Sequence, residues 1–305
     1  MTTPQPGIFQ EDTQFHWFLH FRVRPDAPAD NVRAAIRAVQ DVAAAGSPPE
    51  TVTLVVGFGR SMLQRLAPGE VPAGLHDFTE VTGTSGRTAV ATQEDVFFWA
   101  HSNRHDRNYE VARDARRAFA PIGELARETP SFVYRDSRDL TGFIDGTENP
   151  DAEEARTLAA LAEGQTGEGG SFVLTQRWIH DLDAFHALTV EDQEAVFGRT
   201  KVDSIEIEDK PPTAHLSRVV TLDDAGDEIE IYRRSVPYGN AAEAGLYFLA
   251  FTDDLTKIDR MLANMYGASP DGGHDRVVEF SQTVSGAYYF APPAETLARI
   301  LGITP

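Results

Sequence analysis

One order of secondary-structure signals, strand, helix, strand, strand, helix, strand, occurs twice along the chain and restricts the fold more than any other feature. In the first set, Phe15 to Val23 is aromatic and β-branched enough for a strand that Pro25 ends. Asp30 stands at an N-cap position before Val32, Ile36 and Val39, whose spacing puts one apolar stripe on a helix closed by Gly46 and Pro48. Thr51 to Gly59 reads as a strand, Ser61 to Leu66 as a short helix, and Asp95 to His101 as the third strand. Tyr109 to Phe119 is helical, and Glu128 to Tyr134 completes the set.

The second set begins with a strand over Ser171 to His180. Thr189 caps the next helix, with Asp192 at the capping-box position and Gly198 after the last turn. Glu228 to Tyr232 and the nearly continuous apolar run Leu246 to Thr252 are strands. Leu255 to Tyr266 carries Ile258, Leu262 and Met265 on one helix face, and Val284 to Phe290 is the last strand. No residues match at a fixed period, so the repeat is architectural. The expected class is α+β: two ferredoxin-like modules, 1–140 and 141–305, with antiparallel sheets packed face to face and peripheral helices, as in a dimeric α+β barrel.

Composition narrows the chemistry. The 305 residues contain no cysteine, which excludes disulfides, thiolate metal sites and cysteine nucleophiles and leaves histidine and carboxylates as strong ligands. With 47 acidic against 27 basic residues, the formal charge of -20 repels nucleic acid and anionic lipid. No segment is apolar for long enough to span a membrane, and the N-terminus lacks the basic and apolar regions of a signal peptide. A reducing cytoplasm is the expected compartment.

The join between the sets, Arg135 to Gly170, contains Gly142-Phe143-Ile144-Asp145-Gly146-Thr147-Glu148-Asn149-Pro150 and a charged helix near Glu153 to Leu161. Glycine on both sides of Asp145 lets the backbone bend and approach another body, while Phe143 and Ile144 wall the acid with apolar surface. That is an environment for a proton carrier, although an ordinary Asp-Gly turn has the same letters. The run Glu163 to Gly170 precedes a strand and lacks the Lys-Ser/Thr of a phosphate loop, so it reads as a flexible linker. Among nine histidines, His215 follows the stiff Pro211-Pro212-Thr213-Ala214 and sits beside Leu216, Val219 and Val220, which predicts burial. Arg233 and Arg234 end an apolar strand in a very acidic protein, and one of them is expected to point inward.

Taken together, Gly142-Phe143-Ile144-Asp145-Gly146, His215 and Arg233 resemble the dye-decolorizing peroxidase family, heme enzymes with a duplicated ferredoxin-like fold. The likeness spans most of the chain. Gly198 to Lys201, His215 to Arg218, Arg233 to Gly239 and Asp275 to Ser281 are similar to its bacterial B subgroup. The resemblance implies heme b, with His215 as the iron ligand on the proximal face and Asp145 and Arg233 on the distal face. It further implies that Asp275 hydrogen-bonds the proximal imidazole, that Phe280 packs near the heme, and that Leu246 and Phe248 line the distal pocket. Gly146 would bring backbone beside the cofactor. Ser235 stands where many members have asparagine, which puts its part in the distal hydrogen bonds in question.

The implied activity is reduction of hydrogen peroxide with oxidation of aromatic donors, dyes or phenols, and Mn(II) as a further donor, by a homo-oligomer. A heme-binding or heme-handling protein with little turnover is the alternative, and a structural protein with His215 and Asp145 as core groups is a third. A C-terminal tail of the kind with which some relatives dock into a protein shell is not expected after Thr304-Pro305. Apolar neighbours push Asp145 up and Arg233 pulls it down; if the two roughly cancel, the acid is ionised at neutral pH and can accept a proton from peroxide. Weaker candidates are His180 with His186, His101 with His105, and a calcium site from Asp145, Glu148 and Asp151. Trp17, Trp99 and Trp178 are assigned to the core. Tyr232, Tyr238 and Tyr288 are candidates for passing electrons from bulky donors.

Overall fold

A computed structural model describes residues 2–46, 51–146, 149–222 and 226–303. In the first module the chain runs β1 (Phe15–Val23), α1 (Ala29–Ala44), β2 (Thr53–Phe58), α2 (Arg60–Leu66), the small hairpin β3 (Val81–Thr82) and β4 (Thr88–Ala89), β5 (Val96–Ser102), α3 (His105–Phe119) and β6 (Gly123–Phe132). β1 is antiparallel to both β5 and β6, and β5 to β2, giving the lateral order β6-β1-β5-β2. The period of two in β1 sorts its side chains between two cores. Trp17, Leu19 and Phe21 meet the apolar stripes of α1 and α3, while Phe18 faces the other way with Val55, Phe97 and Trp99.

α4 (Ala152–Ala159) lies in the join, capped by Asp151, whose carboxylate accepts from the amides of Glu153 and Glu154. The second module follows as β7 (Ser171–His180), α5 (Leu182–His186), α6 (Val190–Phe197), α7 (His215–Val219), β8 (Tyr232–Arg233), β9 (Val236–Gly239), β10 (Ala244–Thr252), α8 (Leu255–Tyr266), β11 (Ser281–Ala291) and α9 (Ala294–Leu301). Its lateral order is β11-β7-β10-β8, the same permutation as in the first module, with β9 also pairing β10. On β10, Tyr247, Leu249 and Phe251 face one core, while Leu246, Phe248 and Ala250 face the other, where Ile258, Leu262 and Met265 of α8 pack.

The expected face-to-face packing is present, but the two sheets are edges of one nine-stranded sheet joined where Phe58 of β2 pairs with Phe290 of β11. The sheet folds back so that the inner faces meet: the Phe18 and Tyr247 rings stack with centroids 3.6 Å apart. Fully burying one such ring contributes roughly 1.5–3 kcal/mol, so this aromatic interior is a major source of cohesion. His20 is tolerated there because both ring nitrogens are engaged, by the Tyr289 hydroxyl at 2.8 Å and the Tyr247 hydroxyl at 2.6 Å. Burial lowers its pKa to about 3, so it stays neutral.

Element ends differ from the sequence reading in instructive places. α1 starts at Ala29, so Asp30 lies in its first turn and pairs with Arg33. Gly46 follows that helix at φ 95°, and Pro48 lies outside the described residues. Glu228 to Tyr232 is not a strand: Glu228 makes an isolated bridge to Leu222, and pairing to β10 begins only at Tyr232. The alternating Glu-Ile-Glu-Ile pattern satisfies burial of Ile229 and Ile231 without a ladder. Glu163 to Gly170 is a packed loop, not a free linker. A Cβ on Gly170 would lie 2.2 Å from the Phe290 ring, and the Leu161 amide donates to the Gly170 carbonyl at 2.8 Å.

Candidate active site

Asp145 is carried by a tight hairpin. Arg138 and Ile144 form its bridge, the Asp139 amide donates to the Phe143 carbonyl at 2.8 Å, and the Asp145 amide donates to the Ser137 carbonyl at 3.0 Å. Gly142 at φ 92° and Gly146 at φ 76° make the turns that the two glycines foretold. Phe143 is buried against Phe185 and Phe197, which anchors the tip. The Arg138 guanidinium ties the hairpin to the carbonyls of Gly142, Lys201 and Val202.

Asp145 is half-buried. Burial pushes its carboxyl above the ordinary range; Arg233 opposes this and Asp139 adds to it, while the Gly146 amide and His215 pull down. The two influences do not cancel, and burial prevails. A carboxyl raised on folding favours the native state at low pH, and that contribution is lost as pH rises through the folded pKa. Asp145→Asn is accordingly expected to raise the thermal midpoint at neutral pH, with the gain vanishing below the ordinary value of 3.8. Melting curves against pH check this, and an equal gain at all pH values would contradict it.

Arg233 sits in β8 opposite Ala250, and directly opposed residues of an antiparallel pair share a face. It is thus on the face of Leu246 and Phe248, both only partly buried. Asn149 clamps its backbone: the Asn149 amide donates to the Arg233 carbonyl at 2.7 Å, and the Arg233 amide donates to Asn149 Oδ1 at 3.1 Å. Arg234 goes the other way, over the Trp99 ring and onto the carbonyls of Ile8 and Gln10. Ser235 Oγ accepts from the Leu249 amide at a long 3.4 Å. Asp145, Gly146, Asn149, Arg233 and Ser235 line one cavity of about 210 Å³.

His215 opens α7, and its Nδ1 lies 2.6 Å from Asp275 Oδ2. Asp275 is fully buried, and its other oxygen caps a single helical turn by accepting from the Val277 amide at 2.8 Å. The imidazole is 30% exposed, more open than its apolar setting foretold, and Val220 is exposed as well. A buried carboxylate behind Nδ1 leaves Nε2 as the outward nitrogen, the donor set of an iron-ligating imidazole. Phe280 packs on Phe185 beside it, and Phe197 meets the His215 ring edge-on. With Leu246 and Phe248 partly covered, the residues offer a nitrogen ligand, apolar walls and a cationic pocket that fit a heme.

Family models for the N- and C-terminal parts of Dyp-type peroxidases match residues 5–132 and 136–296. The chain belongs to the Dyp-type peroxidase family. A dye-decolorizing peroxidase of Rhodococcus erythropolis is 34% identical over 96% of this chain and 88% of its own length. Among solved structures, a dye-decolorizing protein from V. cholerae is 34% identical, covers 99% of this chain and 100% of its own, and superposes with a TM-score of 0.89. A variant of Rhodococcus jostii DypB, solved in complex with heme, is 30% identical over 98% of this chain and 99% of its own with a TM-score of 0.89.

Sequence reasoning about this Dyp-type peroxidase missed Asn149, although it stands inside the singled-out stretch; a side-chain amide that bonds a strand's backbone has no pattern in the letters. His180 and His186, read as solvated or core residues and not as a metal pair, divide between the two: His180 is buried against Asp139, a partner the sequence did not reveal, and His186 is exposed. His101 and His105 do not approach as ligands: His101 bonds Thr13 and the Gly7 carbonyl, and His105 packs on Phe15 and Trp17. Glu148 of the calcium candidate lies outside the described residues, and among those described no three His, Asp or Glu converge on a metal position. Trp17, Trp99 and Trp178 are core. So are Tyr232, Tyr238 and Tyr288, while Tyr109 is 52% exposed. No described helix is long and apolar enough to cross a membrane.

Proposed function

We propose that the chain binds heme b through His215 and uses hydrogen peroxide to oxidise aromatic donors. The observation that carries this is the His215 and Asp275 pair standing within electrostatic reach of a pocket formed by Asp145 and Arg233. A heme held here would supply redox chemistry able to take up the two oxidising equivalents of one peroxide. Asp275 accepts from Nδ1, fixing the tautomer that leaves Nε2 for iron and making the imidazole a stronger donor. Asp145, once ionised, takes the proton from the attacking peroxide oxygen and returns it to the departing one. Arg233 holds a permanent charge against the oxygen that leaves. Ser235, occupied with the Leu249 amide, positions backbone and is assigned no proton step.

One peroxide and two donor molecules then give two waters and two one-electron-oxidised donors. Because burial raises Asp145, its base form appears only as pH climbs past a value above 3.8, and peroxide consumption is expected to fall away below that limb. Dyes and phenols are the donors assigned. Mn(II) rests on likeness alone, a DypB variant having been solved with manganese. We place Leu246, Phe248, Phe280 and Gly146 against the heme, the module boundary near residue 140, and the protein in the cytoplasm as a homo-oligomer.

Peroxide-dependent oxidation of a phenol, counted against peroxide consumed, tests the reading. Two donors per peroxide over many turnovers support it; stable heme with turnover no faster than free heme would favour a heme-handling role. Asp275→Asn removes the carboxylate behind Nδ1 and is expected to raise the Fe(III)/Fe(II) potential. An unchanged potential would mean that another group orients the ring.

A further inference from the structure

One buried acid and base pair has no part in the chemistry above. His180 ends β7, and its Nε2 lies 3.1 Å from Asp139 Oδ1, while Nδ1 lies 2.7 Å from Ser281 Oγ. Both side chains are about one-tenth exposed or less, at 7% for His180 and 10% for Asp139. The other carboxylate oxygen of Asp139 accepts from the Thr141 amide and hydroxyl. Asp139 belongs to the Asp145 hairpin, on the strand that faces Phe143, so the pair is the side-chain link between that hairpin and the end of β7. Breaking one partner out of a buried pair is costly, which makes such a link stiff.

We propose that Asp139 and His180 are positioning residues: a buried hydrogen-bonded pair that pins the Asp145 hairpin to β7 and holds the Asp139 carboxylate in place within that hairpin. Asp139 is itself pushed up by burial, but His180 and the Thr141 donors outweigh this and hold it below the ordinary carboxylate range, so the charge is present when Asp145 titrates. That charge acts on Asp145 in the same direction as burial. The other ionisable groups facing Asp145 are Arg233 and, from α7, His215. Glu11, Asp12, His16, Arg138 and Arg234 also line the cavity. Lys201 lies behind the hairpin, over the Phe143 ring and bonded to Gln193. None of these changes in the variants below.

The inference rests on Asp145 as the proton carrier, and its test reads the carboxyl directly. In the full-length holoprotein the Asp145 carboxyl band is followed against pH by infrared difference spectroscopy, each spectrum referenced to the matching Asp145→Asn protein. Asp139→Asn removes the like charge and is expected to shift the Asp145 midpoint down. His180→Gln keeps a donor to Asp139, which with the two Thr141 bonds leaves that carboxylate ionised, so the midpoint is expected to stay; His180→Leu removes the donor and is expected to shift the midpoint down, as Asp139→Asn does. A hairpin merely loosened by loss of the imidazole would move the midpoint equally in His180→Gln and His180→Leu. An unmoved midpoint in Asp139→Asn, or equal shifts in the two His180 variants, overturns the proposal. Should Asp139→Asn not fold, the two His180 variants decide alone: a downward shift in His180→Leu that His180→Gln lacks supports the pair and any other result overturns it. If the midpoints behave as expected while the acid limb of peroxide consumption stays fixed, the pair stands and the role of Asp145 falls.

Discussion

His215→Ala, produced in heme-supplied cells, is expected to lack the native Soret band. Every other buried imidazole has both nitrogens engaged: His16 by Thr13 and Trp99, His20 by two tyrosines, His101 by Thr13 and Gly7, and His180 by Asp139 and Ser281. None can turn toward iron without abandoning a buried hydrogen bond, at roughly 1–3 kcal/mol for each group left unsatisfied. His215 gives up nothing, since its one bond is to Asp275 through Nδ1. Removing the imidazole also strands the buried Asp275 carboxylate, so the variant is expected to be less stable by several kcal/mol, about 3–5 for a broken buried pair. Circular dichroism should confirm that it is folded, and added imidazole should restore part of the band. Native Soret intensity without imidazole would refute the assignment.

The second large effect concerns Arg233. Arg233→Leu is expected to slow peroxide consumption about a hundredfold, equivalent to roughly 3 kcal/mol for one preorganised donor, at every pH. Strand pairing and the Asn149 clamp fix its backbone, so the guanidinium charge stands ready without reorganisation. Asp145→Ala is expected to lose less and to lose the acid limb, because at low pH the raised carboxyl is already protonated and contributes no base in the unaltered protein. Rapid-mixing rates for both variants from about pH 4 to pH 8 span the ionisation of a raised carboxyl. A larger loss for Asp145→Ala across that range reverses the ranking.

What the letters disclosed followed from how local the physics was. β7 and α8 have the bounds read from sequence because a strong apolar period and their own caps define them. Thr189 and Gly198 cap α6 as expected, with Gly198 at φ 84°. The Glu228 to Tyr232 reading failed because alternation reports burial, whereas a ladder needs a neighbour in register. Asp145, Arg233 and His215 were legible through motif resemblance and residue type. Their electrostatic balance was not, because Asp139 and the depth of the hairpin enter only through the fold. Asn149 and His180 were likewise invisible as partners: their bonds reach Arg233, Asp139 and Ser281 across the molecule.

The central claim is that this chain couples a His215-ligated heme to peroxide through the Asp145 and Arg233 pocket. Its most direct test is the absorption spectrum of the full-length protein purified from heme-supplied cells, taken before and after one equivalent of hydrogen peroxide and again after a phenol. The account predicts a Soret band that shifts within the mixing time and returns to its starting position when the phenol is added. Absence of a Soret band, or a band that one equivalent of peroxide leaves unmoved or merely bleaches, would contradict it.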